Sequence, residues 1–280
     1  MVADATSATD AAAVAHLPNT TGVSMLLNYT SNNPNGSGSA TPYVDSGSDA
    51  NNTNVRLTNA NAKALGYTPS GSTIPGFCPV ACDGFILFSN GFTWDLDRSN
   101  GISAGAFDFV GLAIHEIGHA LGFVSGVDAL DTAASPGPDG SSSSFTSTTP
   151  LVTPLDMFRC STASGVNNEN TTLDFTAGTA VKNFSLNNCA TTLGQFATGS
   201  NRGDGNQASH WKDFMGLGIM DPTAAPGELL AVTPLDMLAF DAIGWDLAVP
   251  EPGTMMVGAT WVLGLLAVRR RSQASRKARA

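Results

Sequence analysis

The chain has 280 residues, of which 42% are hydrophobic and 13% charged, with a formal net charge of −10. That length allows one large domain or two small ones with a sizeable core, and the hydrophobic share excludes a disordered chain. Residues 1–250 carry 7 basic and 22 acidic side chains, net −15, which excludes a nucleic-acid binder, because phosphate contact needs Lys and Arg.

Few charges and abundant Gly, Ser, Thr and Asn suit a loop-rich secreted protein. Some of the carboxylates have the chemistry to hold Ca²⁺. Residues 1–21 are Ala- and Thr-rich without an apolar signal core, and read as a disordered or processed segment. Residues 22–29 read as a first strand, and 30–54 as a Ser-, Asn- and Gly-rich loop. Residues 54–65 have helical composition and end at Gly66. A second loop, 67–84, holds Cys78 and Cys82. Residues 85–89 give a strong strand signal, followed by the hairpin dipeptide Asn90 and Gly91 and an extended stretch over 92–95. Asp95, Asp97, Ser99 and Gly101 approximate a calcium loop with its glycine one place late, and read as an ordinary acidic turn.

Residues 108–123 form the long helix of the chain. It carries His115, Glu116 and His119 in a His-Glu-x-x-His pattern. Positions four apart share a helix face, so His115 and His119 can present two imidazoles to one ion. Glu116, beside the first of them, can act as general base on a water at that ion. Gly122 follows three residues after His119. It tolerates φ > 0 and marks the end of the helix, so the chain can turn back toward a third ligand.

Residues 132–150 are low-complexity loop. Thr153, Pro154 and Asp156 read as a helix start, and the phrase returns as Thr233, Pro234 and Asp236. Two occurrences indicate one capping solution used twice rather than a repeat protein. Short strands are expected between 171 and 196. The four cysteines pair most simply as Cys78–Cys82 and Cys160–Cys189, although three connectivities are open.

Catalytic zinc usually takes three protein ligands. Ser125 stands where a compact His-Glu-x-x-His-x-x-Gly-x-x-His motif has its third His. Asp128 and Asp131 are nearby carboxylates, and Glu169 half fits a gluzincin pattern. The better candidate is His210, followed by Trp211 and, ten residues on, by Met220 between Ile219 and Asp221. On these motifs the chain resembles a metzincin with a leishmanolysin-like long insertion before the third His. The resemblance assigns His115, His119 and His210 as zinc ligands, Glu116 as base, Gly122 as the bend and Met220 as the methionine turn.

Pro250, Glu251 and Pro252 precede an apolar run, residues 253–268, and three arginines, Arg269 to Arg271. The run has 16 residues, short of the ~20 that span a bilayer. This tail resembles the PEP-CTERM sorting signal of Gram-negative bacteria. The resemblance implies export, transient membrane insertion through the tail, and cutting by an exosortase-type enzyme.

Together the resemblances imply an α/β (α+β) zincin: a twisted mixed sheet, the long active-site helix and a lower C-terminal subdomain. The catalytic domain would run over 22–248, with its upper part ending near 124, and the sorting tail over 249–280. The implied activity is zinc-dependent peptide hydrolysis at the cell surface or outside the cell. Residues 85–89 would be the edge along which an extended polypeptide substrate pairs. The rival expectation is a weakly active matrix or biofilm surface protein on the same scaffold.

Overall fold

A computed structural model of the chain describes residues 7–17, 21–28, 43–134, 150–161, 172–176, 178 and 180–246. The chain divides into two units, 1–246 and 247–280. The second lies outside the described residues, and with it Pro250, Glu251 and Pro252 of the expected sorting tail.

Short elements dominate. Helix α1 (Ala8–Ala15) opens the described chain within the stretch expected to lack structure. Ser7 and Asp10 close a capping box at its start, and Ser7 Oγ donates to Asp241 at 3.0 Å. Strand β1 (Ser24–Asn28) forms where the sequence predicts it, between antiparallel β2 (Tyr43–Asp45) and parallel β8 (Thr172–Asp174). β2 and the one-turn helix α2 (Ala50–Thr53) fall inside the expected 30–54 loop. Their polar composition hid them, because α2 buries Asn51 and Asn52 rather than apolar side chains. Helix α3 (Asn59–Ala64) is shorter than expected: it starts only at its Thr58 cap, while Arg56 N–H donates to Val152 O at 2.7 Å.

Strands β3 (Ser72–Ile74) and β4 (Cys78–Cys82) form a hairpin inside the second expected loop, and the Cys78–Cys82 disulfide joins the two ends of β4. Cys160 and Cys189 form the other disulfide, so the simplest connectivity is the one present. Residues 85–89 form no strand and belong to none of the sheets among the described residues. Asn90 and Gly91 therefore close no hairpin. β5 (Trp94–Asp95) pairs instead with β6 (Phe107–Asp108), in parallel. Asp95 and Asp97 accept backbone N–H groups of their own turn, from Asp97, Ser99 and Ser103, in keeping with an acidic turn.

Helix α4 (Phe109–Ala120) follows directly. Asp108 caps it, accepting from Gly111 N at 2.9 Å, and also receives Leu230 N and the Arg98 guanidinium. Helix α5 (Val127–Ala134) comes next. The 153–158 phrase yields a 3-10 turn, Leu155–Phe158, rather than an α-helix. Strands β7 (Arg159–Cys160), β9 (Lys182–Phe184) and β10 (Gly194–Phe196) make a second three-stranded sheet, all antiparallel. Helix α6 (Pro234–Ala242), capped by Thr233, ends the described fold.

The described chain is thus mixed α+β, built from few helices and small sheets. The single twisted sheet expected behind α4 is replaced, among the described residues, by sheets of two or three strands. Strands of two to five residues separated by polar linkers cannot extend a larger one. Two apolar clusters carry the packing. One joins Phe123, Phe184, Phe196, Trp211, Met220 and α6, beneath α4. The other joins β1, α5 and Phe175.

The expected membrane insertion through the C-terminal segment is not supported. Among the described residues no helix is long and apolar enough to cross a membrane. The apolar run itself lies outside them and, at 16 residues, falls short of a bilayer's ~30 Å core at ~1.5 Å per helical residue.

Candidate metal centre

His115, His119 and His210 come together. Their Nε2 atoms lie 3.2 Å (119 to 115), 3.1 Å (119 to 210) and 3.3 Å (210 to 115) apart. Helix periodicity supplies the first pair. The third arrives across 91 residues of chain.

Each Nδ1 faces a backbone carbonyl: His115 that of Ile219 at 2.7 Å, His119 that of Phe123 at 2.8 Å, and His210 that of Gln207 at 3.2 Å. A carbonyl only accepts, so every Nδ1 carries the proton and every Nε2 a lone pair. Burial, the largest cause, and the neighbouring imidazoles hold His119 below its ordinary range and push His210 down to about 3. Converging lone pairs repel unless a cation lies between them. A tetrahedral ion with ligands at ~2.0–2.1 Å sets nitrogen separations of about 3.3 Å, so the three residues fit zinc in donor type, tautomer and spacing.

Gly122 makes the bend. Its φ of +115° turns the chain after α4, so that the Phe123 carbonyl comes under His119. The same residue leaves room for Asn61, whose side chain would lie 2.9 Å from a Cβ at 122. Met220 lies beneath the helix and is fully buried. A Cβ on Gly118 would sit 2.5 Å from its sulfur, so this glycine lets the turn approach the ligand helix. Gly118 was missed in the sequence. A glycine inside a helix costs about 1 kcal/mol against Ala, and that cost is the signal that something packs there.

The segment around His210 is held from several directions. Ala197 N–H donates to His210 O, and Trp211 N–H to Met220 O. Asp128 accepts from Ala208 N at 2.5 Å, from Ser209 N at 3.1 Å and from the Ser209 hydroxyl. The buried Arg159 guanidinium donates to the carbonyls of Ala197 and Ala208. Asp128 is therefore not a third ligand but part of the clamp beside it. Asp131 receives the N–H groups of Asn201 and Arg202. Ser125 is buried and joins Ser209 to Asp156 through its N–H and hydroxyl. Glu169 lies outside the described residues.

Asp236 is the other anchor sequence reading underestimated. Beyond capping α6, it accepts from Ile219 N (2.8 Å), Met220 N (3.4 Å) and Trp211 Nε1 (2.7 Å). One carboxylate thus ties the methionine turn, the His210–Trp211 segment and α6 together. Its spacing from Thr233 announces the cap, but nothing in the sequence announces Trp211.

Glu116 is half-buried on α4 and lines two clefts. The larger, about 560 Å³, runs from Gly84 to Ser89 and past Trp94. The smaller, about 300 Å³, is bounded by all three histidines and by Asp221 to Ala224. Leu112, Glu116 and His119 line both. A long molecule crossing from one cleft to the other passes the histidines and the carboxylate.

The depressed histidines make a prediction for chelator-treated protein. As pH falls through 6.5, the unfolded chain binds protons at positions 119 and 210, while the folded chain resists until about pH 3 at His210. Where the unfolded state holds more protons, stability falls with pH. Urea denaturation between pH 7 and 4 should show that loss, and His210→Ala should make it shallower. An unchanged slope would remove His210 as a source.

Comparison of the chain with protein-family models, with curated proteins and with solved structures finds no match.

Proposed function

We propose that the protein is an exported zinc-dependent endopeptidase of the metzincin type. The observation that carries this reading is the convergence of three Nε2 lone pairs beside a helix carboxylate, Glu116, at the junction of two clefts. Met220 packed against Gly118 and the bend at Gly122 support the metzincin comparison.

His115, His119 and His210 would hold the ion. Zinc there supplies a Lewis acid for the scissile carbonyl and makes water acidic enough to attack near neutral pH. Glu116 takes the proton from the attacking water and returns it to the departing amine. The backbone of residues 84–88 makes no hydrogen bond within the described fold. Its free N–H and C=O groups suit an extended polypeptide laid along the larger cleft. Both disulfides suit an oxidising compartment outside the cytosol.

Casein zymography tests the reading. A clearing band lost to chelator and restored by zinc is expected. No clearing by zinc-loaded protein would favour the weakly active surface-protein alternative.

A further inference from the structure

A second cluster of oxygen ligands lies at the other end of the fold, between β2 and α2. A methyl group on Gly47 would stand 3.2 Å from Asn52 Oδ1, 3.3 Å from Asp49 Oδ2 and 3.4 Å from Asp45 Oδ1. Three side-chain oxygens therefore line the space beside Gly47, whose own N–H donates to Asp45 Oδ1 at 3.1 Å.

The Asn52 oxygen is decisive. The side chain is 3% exposed, and its Oδ1 has no hydrogen-bond partner. Its orientation is set, because Nδ2 donates to Val23 O at 2.9 Å and to Asp45 O at 3.3 Å. The amide oxygen must then face the two carboxylates, acceptor against acceptors. A buried carbonyl without a donor is unfavourable, and more so beside anions. Asn51 repeats the pattern: fully buried, its Nδ2 donates to Asp45 Oδ2 at 2.7 Å while its Oδ1 has no partner. Asp49 occupies the cap position of α2 yet makes no capping bond. Among the described residues neither Asp45 nor Asp49 is in an ion pair.

We infer that Asp45, Asp49 and Asn52 form a calcium site, distinct from the histidine centre. The donors are all hard oxygens, two of them anionic, which suits Ca²⁺ and not zinc. The ion would cross-link β2 to α2 and, through Asn52 and Val23, to β1. β1 supplies Met25 and Leu27 to the core that also holds α5. The site would therefore stabilise the half of the fold that clamps the His210 segment.

The test uses the full chain, dialysed against chelator and then titrated with CaCl₂. Three imidazoles are poor calcium ligands, so the histidine centre does not interfere. Equilibrium dialysis should find one calcium bound, and Tm should rise about 5–8 °C at a hundredfold excess over Kd. Mg²⁺ at the same concentration should give a smaller shift. Asp49→Ala removes a ligand oxygen from an exposed side chain that makes no hydrogen bond of its own, so its Tm without calcium should match the unaltered protein. It should neither bind calcium nor respond to it. An unaltered protein that binds no calcium, or an Asp49→Ala variant that binds and responds equally, would overturn the assignment.

Discussion

Glu116→Gln should keep one equivalent of zinc and lower peptide hydrolysis about 100- to 10,000-fold, the usual weight of a positioned general base. Metal should stay because no ligand changes: the three imidazoles keep their Nδ1 bonds to Ile219, Phe123 and Gln207. Hydrolysis should fall because an amide cannot take a proton from water. Glutamine has nearly the volume of glutamate, so neither cleft changes shape. Zinc by elemental analysis and cleavage of a quenched peptide, measured on the same sample, read the two halves separately. Full cleavage at equal zinc content would place the base elsewhere.

Asp236→Ala should cost about 4 kcal/mol or more in unfolding free energy, with loss of the metal centre. Its carboxylate is fully buried and accepts from four N–H donors, Ile219 N, Met220 N, Trp211 Nε1 and Thr233 N, while the Thr233 hydroxyl, 3.0 Å from it, lies closer to Leu217 O at 2.7 Å. Each buried donor left without a partner costs about 1–3 kcal/mol. Water entering the space would recover part of the sum. The damage reaches the histidines directly, since Ile219 O holds His115 and Met220 O holds the backbone of Trp211. Urea denaturation and zinc content measure both effects. A change below about 1 kcal/mol would show that other contacts hold the methionine turn.

The twin phrases at 153 and 233 show how far local reading reaches. Both were expected to begin helices with a Thr cap and an Asp at the third position. At 233 the prediction holds and the capping box forms. At 153 the same reach-back forms, Asp156 receiving Thr153 N at 2.9 Å, but only a 3-10 turn follows. There the Asp carboxylate also receives Ser125 Oγ and Gly126 N, and the chain passes straight into β7. Local chemistry specified the cap, and tertiary partners specified what came after it.

Residues 85–89 show the opposite error. Their β-branched and aromatic content resembles a paired strand, yet among the described residues no strand pairs with them. Extended conformation is a local property, whereas pairing requires a second segment at the right distance. β2, α2 and the β3–β4 hairpin were missed for the converse reason: they are short, and they are held by strand pairing and by hydrogen bonds such as Asn52 to Val23 O rather than by apolar periodicity.

The sequence alone determined the candidate ligand types, the shared face of His115 and His119, the carboxylate beside them and the bend at Gly122, and it left the cysteine pairing open among three connectivities. Each follows from spacing along one chain segment. Only the tertiary structure decided that His210 arrives, that Asp128 clamps rather than ligates, that Asp236 anchors the methionine turn, and that oxygens gather beside Gly47. Those depend on contacts between segments tens to hundreds of residues apart, and helix or strand period carries no information about them.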